Sequence, residues 1–300
     1  MKKVFLTGAN GFVGKNLTLF LQKNSTISIS TYDKNLGHLD MTKLDVVIHL
    51  AGKAHDLKNT ANPHDYYNVN TELTKNVFNA FLDSNAKVFI TLSSVKAVVD
   101  NLKNILTEEQ IPNPITHYGK SKLLAEQYIL SQIIPDGKRV YILRPCMIHG
   151  PGNKGNINLL YNLINKGFPW PLGAFDNKRS FCSIDNLCFV INELIQNDQV
   201  PSGVYNIADD EALSTNELIK LISKSEGKKL FIWHIPQCIV KTVSKIGDLF
   251  RLPLNTERLG KLTESFIVSN QKLINAINKT LPVSTREGLL KTFNSFNNAK

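Results

Sequence analysis

The chain is poor in cysteine, and its four thiols stand apart. Cys146, Cys182, Cys188 and Cys238 form no C-x-x-C pair and have no histidine at metal-ligand spacing, so neither a disulfide scaffold nor a metal site is read, and free buried thiols are expected. Long apolar runs are also missing. None approaches the roughly 20 residues of a membrane span, so no stable membrane insertion is expected. Met1-Lys2-Lys3 runs directly into a strand-like segment without space for a signal peptide, which reads as a cytoplasmic protein. The net charge is +10, yet the lysines are scattered singly or in pairs and no basic run alternates with stacking aromatics. That distribution argues for a solvated basic surface and against nucleic acid as a partner. Internal repeats and low-complexity tracts are absent, and 300 residues at 42% hydrophobic are enough to bury a full core.

What is present begins at the N-terminus. Val4-Phe5-Leu6-Thr7 is a strand-like run that ends in Gly8-Ala9-Asn10-Gly11-Phe12-Val13-Gly14 and turns helical, with Leu17, Phe20 and Leu21 as its apolar stripe. Glycine suits a tight turn, a close approach to a pyrophosphate and a helix packed hard on its strand, and the helix N-terminus offers free N–H groups to the anion. Residues 8–14 therefore read as a dinucleotide site, with Gly8, Asn10, Gly11, Phe12, Val13 and Gly14 as its contacts. Strand-like runs recur at Ile27 to Tyr32, Val46 to Leu50, Val88 to Leu92 and Val140 to Leu143, with helical stripes at Val69, Leu73, Val77, Phe81 and at Leu124, Tyr128, Ile129. This alternation predicts an α/β fold with a Rossmann-type, doubly wound parallel sheet over residues 1–150. The short gap from Lys34 to Asp45 predicts a trimmed sheet edge.

From about residue 150 the texture turns to Gly, Pro and Asn, and residues 151–300 read as a smaller α/β substrate lobe with some segments returning to the first domain. Ser214-Thr215-Asn216-Glu217 has the form of a capping box. The stretch Ile239 to Arg251 is amphipathic and basic. It reads as a lid helix laying Val243, Ile246 and Phe250 on the small lobe, with a membrane-surface helix as the alternative.

Tyr118 and Lys122 are four apart on a predicted helix and so share a face. A phenol titrating near about 10 is a poor base at neutral pH; a neighbouring ammonium and an oxidised nicotinamide should move it toward useful acid–base chemistry. Ser94, at the end of a parallel strand, is placed to hold the oxygen that Tyr118 protonates. Lys122 is suited to hold the nicotinamide ribose hydroxyls. Asp33 can accept from the adenosine ribose, which favours NAD over NADP, although Lys34 beside it could accommodate a 2′-phosphate.

The spacing Thr7-Gly8-x-x-Gly11-x-x-Gly14 with Tyr118-x-x-x-Lys122 resembles the extended short-chain dehydrogenase/reductase family, whose members mostly act on nucleotide sugars. Asp45-Val46-Val47-Ile48-His49-Leu50-Ala51-Gly52 is similar to its D-x-V-I-H-x-A-A/G strand, which implies Leu50, Ala51 and Gly52 against the dinucleotide. Val69-Asn70-Thr71-Glu72-Leu73-Thr74-Lys75-Asn76 resembles V-N-x-x-G-T-x-N, with Leu73 in place of the glycine, and implies a bracing, cofactor-side role for Asn70. Arg144-Pro145-x-x-x-His149-Gly150-Pro151 resembles R-P-x-x-x-Y-G-P. Arg179 in Arg179-Ser180-Phe181 matches the arginine that grips a sugar-nucleotide diphosphate, and Asn156 falls in the substrate loop.

The resemblance implies Ser94, Tyr118 and Lys122 as catalytic residues and a UDP-sugar as substrate. It also implies a homodimer through the helix holding the Tyr/Lys pair and the one before it. The family's 4,6-dehydratases carry an acidic pair after the serine; Val95 and Lys96 stand there, which argues against elimination. The remaining readings are a UDP-4-keto-6-deoxy-N-acetylhexosamine 4-reductase for surface polysaccharide, which is preferred, and a UDP-hexose or UDP-N-acetylhexosamine 4-epimerase. Met147 occupies a position where epimerases commonly carry asparagine. A non-catalytic dinucleotide sensor is the reading from another class.

Overall fold

The computed structural model describes residues 1–31, 43–54, 62–102, 104–153, 155–250 and 255–297. Buried apolar runs form strands β1 (Lys2–Thr7), β2 (Ile27–Thr31), β3 (Val46–His49), β4 (Val88–Leu92) and β5 (Arg139–Pro145). β6 (Met147–His149) and β7 (Phe181–Ser183) follow, and then β8 (Gly203–Ile207). Six strands make one parallel sheet in the order β2-β1-β3-β4-β5-β8, while β6 and β7 pair separately. Because both faces are covered, Val4–Leu6 of β1, Val46–Ile48 of β3 and Val88–Ile90 of β4 are consecutive buried apolar residues rather than alternating ones. The direction of winding reverses between β1 and β3, which opens a crevice beyond their carboxyl ends, where ligands of such sheets sit.

α1 (Phe12–Leu21) leads from β1 to β2. α2 (Pro63–Tyr66), a π-helical turn (Tyr67–Glu72) and α3 (Leu73–Leu82) run on into one another; α4 (His117–Leu130) precedes β5. Phe78, Phe81 and Ile129 fill one face of the sheet over Phe5, Val47 and Phe89. The other face is covered by Leu17 and Leu21 of α1 with Leu187, Ile191 and Leu194 of α6 (Ile184–Gln196). A further core joins α5 (Asn156–Asn165), α7 (Thr215–Ser225), α8 (Gln237–Phe250) and α9 (Thr256–Thr263) with α11 (Thr285–Asn297), around Trp170, Ile219 and Phe293. α10 (Gln271–Ile277) instead sends Leu273 and Ile277 back to the sheet core. The capping box forms as read: Ser214 Oγ accepts from Glu217 N (3.1 Å) and Ser214 N donates to Glu217 Oε2 (2.9 Å).

The structure departs from the sequence reading in several places. β8, a five-residue strand with little apolar density, was not anticipated; it closes the sheet beside β5 through residues far along the chain. On α4 the buried face is Ser121, Lys122, Ala125, Glu126 and Ile129, while Leu124 is exposed, because an ion pair below the helix claims the inward position. On α8 the buried side is Val240, Ser244 and Gly247, and Val243, Ile246 and Phe250 face solvent. Small side chains let that helix seat closely, and the larger ones are left outside. All four cysteines are free, but Cys238 is exposed rather than buried. The expected trimmed edge falls largely on residues 34–42, outside the described residues.

Candidate active site

The loops after β1 and β3 meet at the crevice. Gly8 has φ +73°, and a Cβ there would lie 2.6 Å from Ala51 N and 2.7 Å from the Leu50 carbonyl carbon. A Cβ on Gly14 would sit 2.2 Å from Gly8 O and 2.7 Å from Ala9 Cα, so only hydrogen at residue 14 lets α1 lie against its turn. Gly11 caps α1 with no side-chain acceptor, and its own N–H donates to Gly8 O (3.0 Å). The first-turn N–H groups of α1 are therefore free of any side-chain cap and suit an anion. These close approaches are what a dinucleotide cradle needs, and the residues fit that group. Asn10 and Gly11 are exposed on the rim, with Phe12 and Val13 half-buried behind them. Asp33 lies outside the described residues.

Behind the crevice runs a hydrogen-bonded chain that sequence reasoning missed. Ala51 N donates to Thr7 Oγ1 (3.2 Å), and Thr7 Oγ1 lies 2.8 Å from His49 Nδ1. His49 Nε2 lies 3.0 Å from Thr74 Oγ1, which donates to Asn70 O (2.7 Å). With Thr74 already donating onward, the consistent arrangement has His49 donating from Nε2 and accepting at Nδ1. Burial first, then the Lys122 charge, push His49 down to about 3, so the ring is neutral. The D-x-V-I-H pattern contained this histidine, but its two threonine partners come from elements 42 and 25 residues away.

Asn70 sits in the π-helical turn, fully buried. Its Oδ1 accepts from Lys53 N (2.8 Å), and its Nδ2 donates to Lys53 O (3.1 Å) and Ser121 Oγ (3.0 Å). The side chain is thus fully engaged in tying the loop after β3 to α4. A Cβ on Gly52 would lie 3.1 Å from both Asn70 Oδ1 and Lys122 Nζ, which places these three groups at one point.

Ser94, Tyr118 and Lys122 converge at the end of β4. Ser94 caps a 3₁₀ turn (Val95–Ala97), its Oγ accepting from Lys96 N (3.2 Å), and it shares a side-chain hydrogen bond with Tyr118. Thr116 caps α4 by accepting from Gly119 N (3.1 Å), which fixes where Tyr118 enters the site. Gly119 lets the helix touch the same 3₁₀ turn: a Cβ there would meet Lys96 O at 2.3 Å. Lys122 Nζ donates to Leu92 O (2.8 Å); burial pushes it down to about 8, with the Glu126 carboxylate acting against that. The Tyr118 phenol is pushed up by burial, with the Ser94 bond opposing and Tyr66 adding to the rise. Burial dominates at this phenol, and Lys122 Nζ is turned to the strand end.

Arg179 approaches from the other lobe. Its Nε donates to Glu264 O (3.0 Å), and burial lowers its pKa while Glu264 opposes the shift. Lys96, two residues beyond Ser94, feels the Arg179 charge and lies 4.6 Å from the Phe266 ring centroid. Arg179 is therefore close enough to Lys96, at the turn after Ser94, for the two charges to interact. Asn156 is the first residue of α5. Met147 packs against the small-lobe core.

The model of the NAD dependent epimerase/dehydratase family matches residues 4–208. The chain belongs to this family. Among curated members it is 29% identical to a UDP-glucose 4-epimerase of Vibrio cholerae, over 98% of this chain and 95% of that one. It is also 28% identical to a GDP-6-deoxy-D-mannose reductase of Pseudomonas aeruginosa, over 78% of this chain and 84% of that one. RMD from Pseudomonas aeruginosa, solved with NADPH, has the same fold, with a TM-score of 0.76, 23% identity and 100% coverage of both chains. As a member of this family the chain is an NAD(P)-dependent enzyme.

Proposed function

We propose that the chain reduces C4 of a UDP-linked 4-keto-6-deoxy-N-acetylhexosamine, a step that supplies sugars for surface polysaccharide. The observation that carries this is the Ser94–Tyr118 hydrogen bond beside Lys122 at the end of β4, followed by Val95 and Lys96 where elimination would need carboxylates. A reduced nicotinamide, when bound, would supply the hydride. Ser94 holds O4 of the sugar, and Tyr118 delivers its phenolic proton to that oxygen as the carbonyl becomes an alcohol. A phenol held protonated suits this direction, since an acid is needed and no base. Lys122 holds the ribose hydroxyls and its charge steadies the phenolate that remains. Gly8, Gly11 and Gly14 would hold the pyrophosphate of the dinucleotide, together with Leu50, Ala51 and Gly52 of the loop after β3. Arg179 takes the diphosphate of the sugar nucleotide as a planar fork, with Asn156 near the sugar.

A second reading, 4-epimerase, is favoured by the nearly full-length similarity to the Vibrio cholerae UDP-glucose 4-epimerase. Against it stands Met147, whose side chain packs into the small-lobe core where an epimerase commonly offers an amide to the sugar. The two separate on reductant. With the 4-keto sugar nucleotide, NADH or NADPH should disappear in a one-to-one ratio with product. Interconversion of UDP-glucose and UDP-galactose, or of their N-acetyl forms, without added reductant and with no reduction of the keto sugar, would establish the epimerase instead.

Arg179→Ala gives a further check. Sugar-nucleotide affinity should fall more than about tenfold while dinucleotide affinity stays within about twofold, because the guanidinium is assigned to the sugar-nucleotide diphosphate and the glycine cradle to the dinucleotide. Isothermal titration of both ligands reads this directly. Equal losses for the two would make Arg179 a structural residue.

A further inference from the structure

The exposed side of α8 is a continuous apolar stripe. Ile239, Val243, Ile246 and Phe250 recur at helical spacing, with Leu249 beside them, and each is between 45% and 77% exposed. The adjacent side, through Val240, Ser244 and Gly247, seats the helix on the small lobe and leaves the stripe exposed beside that seat. Lys241 and Lys245 are exposed along the solvent flank of the stripe. The one acidic residue of the helix, Asp248, is engaged at the next helix start, accepting from Thr256 N (3.1 Å) and Thr256 Oγ1 (2.7 Å).

We infer that α8 is a docking surface for an anionic lipid bilayer. An apolar face flanked by lysines matches an interface in which side chains enter the acyl boundary while ammonium groups reach the phosphates above it. The charge complementary to such a surface lies on one edge of the exposed face, where Lys241 and Lys245 follow Leu249 around the helix. The 14-residue helix, about 21 Å long, lies flat, and among the described residues no helix is long and apolar enough to cross a membrane. A second copy of the chain is a poorer occupant: a stable protein interface engages roughly 20–30 residues a side, and one helix face offers five apolar side chains. Docking of this kind rests on α8 alone and holds whichever C4 reaction the enzyme performs.

The test is co-sedimentation of the full chain, without substrate, with vesicles of phosphatidylglycerol mixed equally with phosphatidylcholine, and with phosphatidylcholine alone. Binding is expected to the anionic vesicles and to weaken at high salt. Val243→Ser, Ile246→Ser and Phe250→Ser combined should reduce it more than tenfold, and Lys241→Gln with Lys245→Gln by roughly fivefold per lysine. These side chains face solvent outside the candidate site, so circular dichroism and dinucleotide binding should be unchanged in both variants. Failure of the full chain to sediment with anionic vesicles at low salt overturns the inference. So does binding that the lysine changes reduce and the serine changes do not, which would reflect a general basic surface. A dimer in sedimentation equilibrium that the serine changes dissolve would assign the stripe to a second copy and equally overturn it.

Discussion

Tyr118→Phe is expected to lower turnover by roughly 10²-fold or more while dinucleotide affinity stays within about twofold. The substitution removes one oxygen and leaves the ring, which meets Tyr66 edge-on at a centroid distance of 6.2 Å, so the site keeps its shape. What disappears is the proton and the partner of Ser94. Because burial holds this phenol above its ordinary value, the wild-type reductive rate should be flat through neutral pH and fall only on the alkaline side, as the acid is lost. Single-turnover reduction across pH 6–10, beside fluorescence titration of the dinucleotide, measures both. Near-normal turnover in the phenylalanine variant would remove Tyr118 from the proposed chemistry. Lys122→Met should differ in kind, harming dinucleotide affinity and rate together.

A loss of stability of about 3–5 kcal/mol is expected for Glu126→Ala, enough to lower Tm by roughly 10 °C. Arg144 and Glu126 are 5% and 2% exposed, and the guanidinium meets the carboxylate in two-pronged fashion, with Nε donating at 2.9 Å to one oxygen and Nη2 donating to the other. Removing the carboxylate leaves a buried guanidinium without its counter-charge, which costs far more than the pair contributes net. Replacing both residues by leucine should therefore recover much of the loss. Thermal unfolding of the single and double variants decides the point, and a double variant as unstable as the single one would show that packing rather than charge holds this place. Glu126 also supports the charge on Lys122. Glu126→Gln, which keeps the shape, should lower the Lys122 pKa further and shift the pH profile of dinucleotide binding toward acid.

Much of this was legible in the chain because it is encoded locally. A buried parallel strand is a run of apolar residues, a phosphate-binding turn is a run of glycines after it, and two residues four apart on a helix share a face whatever lies beneath. Hence the five main strands, the glycine cradle and the Tyr118/Lys122 spacing could be read in order. Ser94 could be placed because strand ends in such sheets open onto the crevice.

Other features depend on partners that sequence does not bring together. The His49 chain needs Thr7 and Thr74, the Glu126 side chain needs Arg144, and β8 needs β5; each pairing spans 18 residues or more. The same reason explains the two helix faces that were misread. An amphipathic pattern says that one side of a helix is apolar, but which side is buried is decided by the surface it meets. On α4 a buried arginine drew Glu126 inward, and on α8 the close seat made by Ser244 and Gly247 turned the larger side chains out. Sequence by itself determined the fold class and the residue types of the site, because those follow from periodicity and turn chemistry. Only the tertiary structure decided which charges are paired, which hydroxyls are linked and which apolar face remains for a partner, since these are set by contacts between segments that the chain holds far apart.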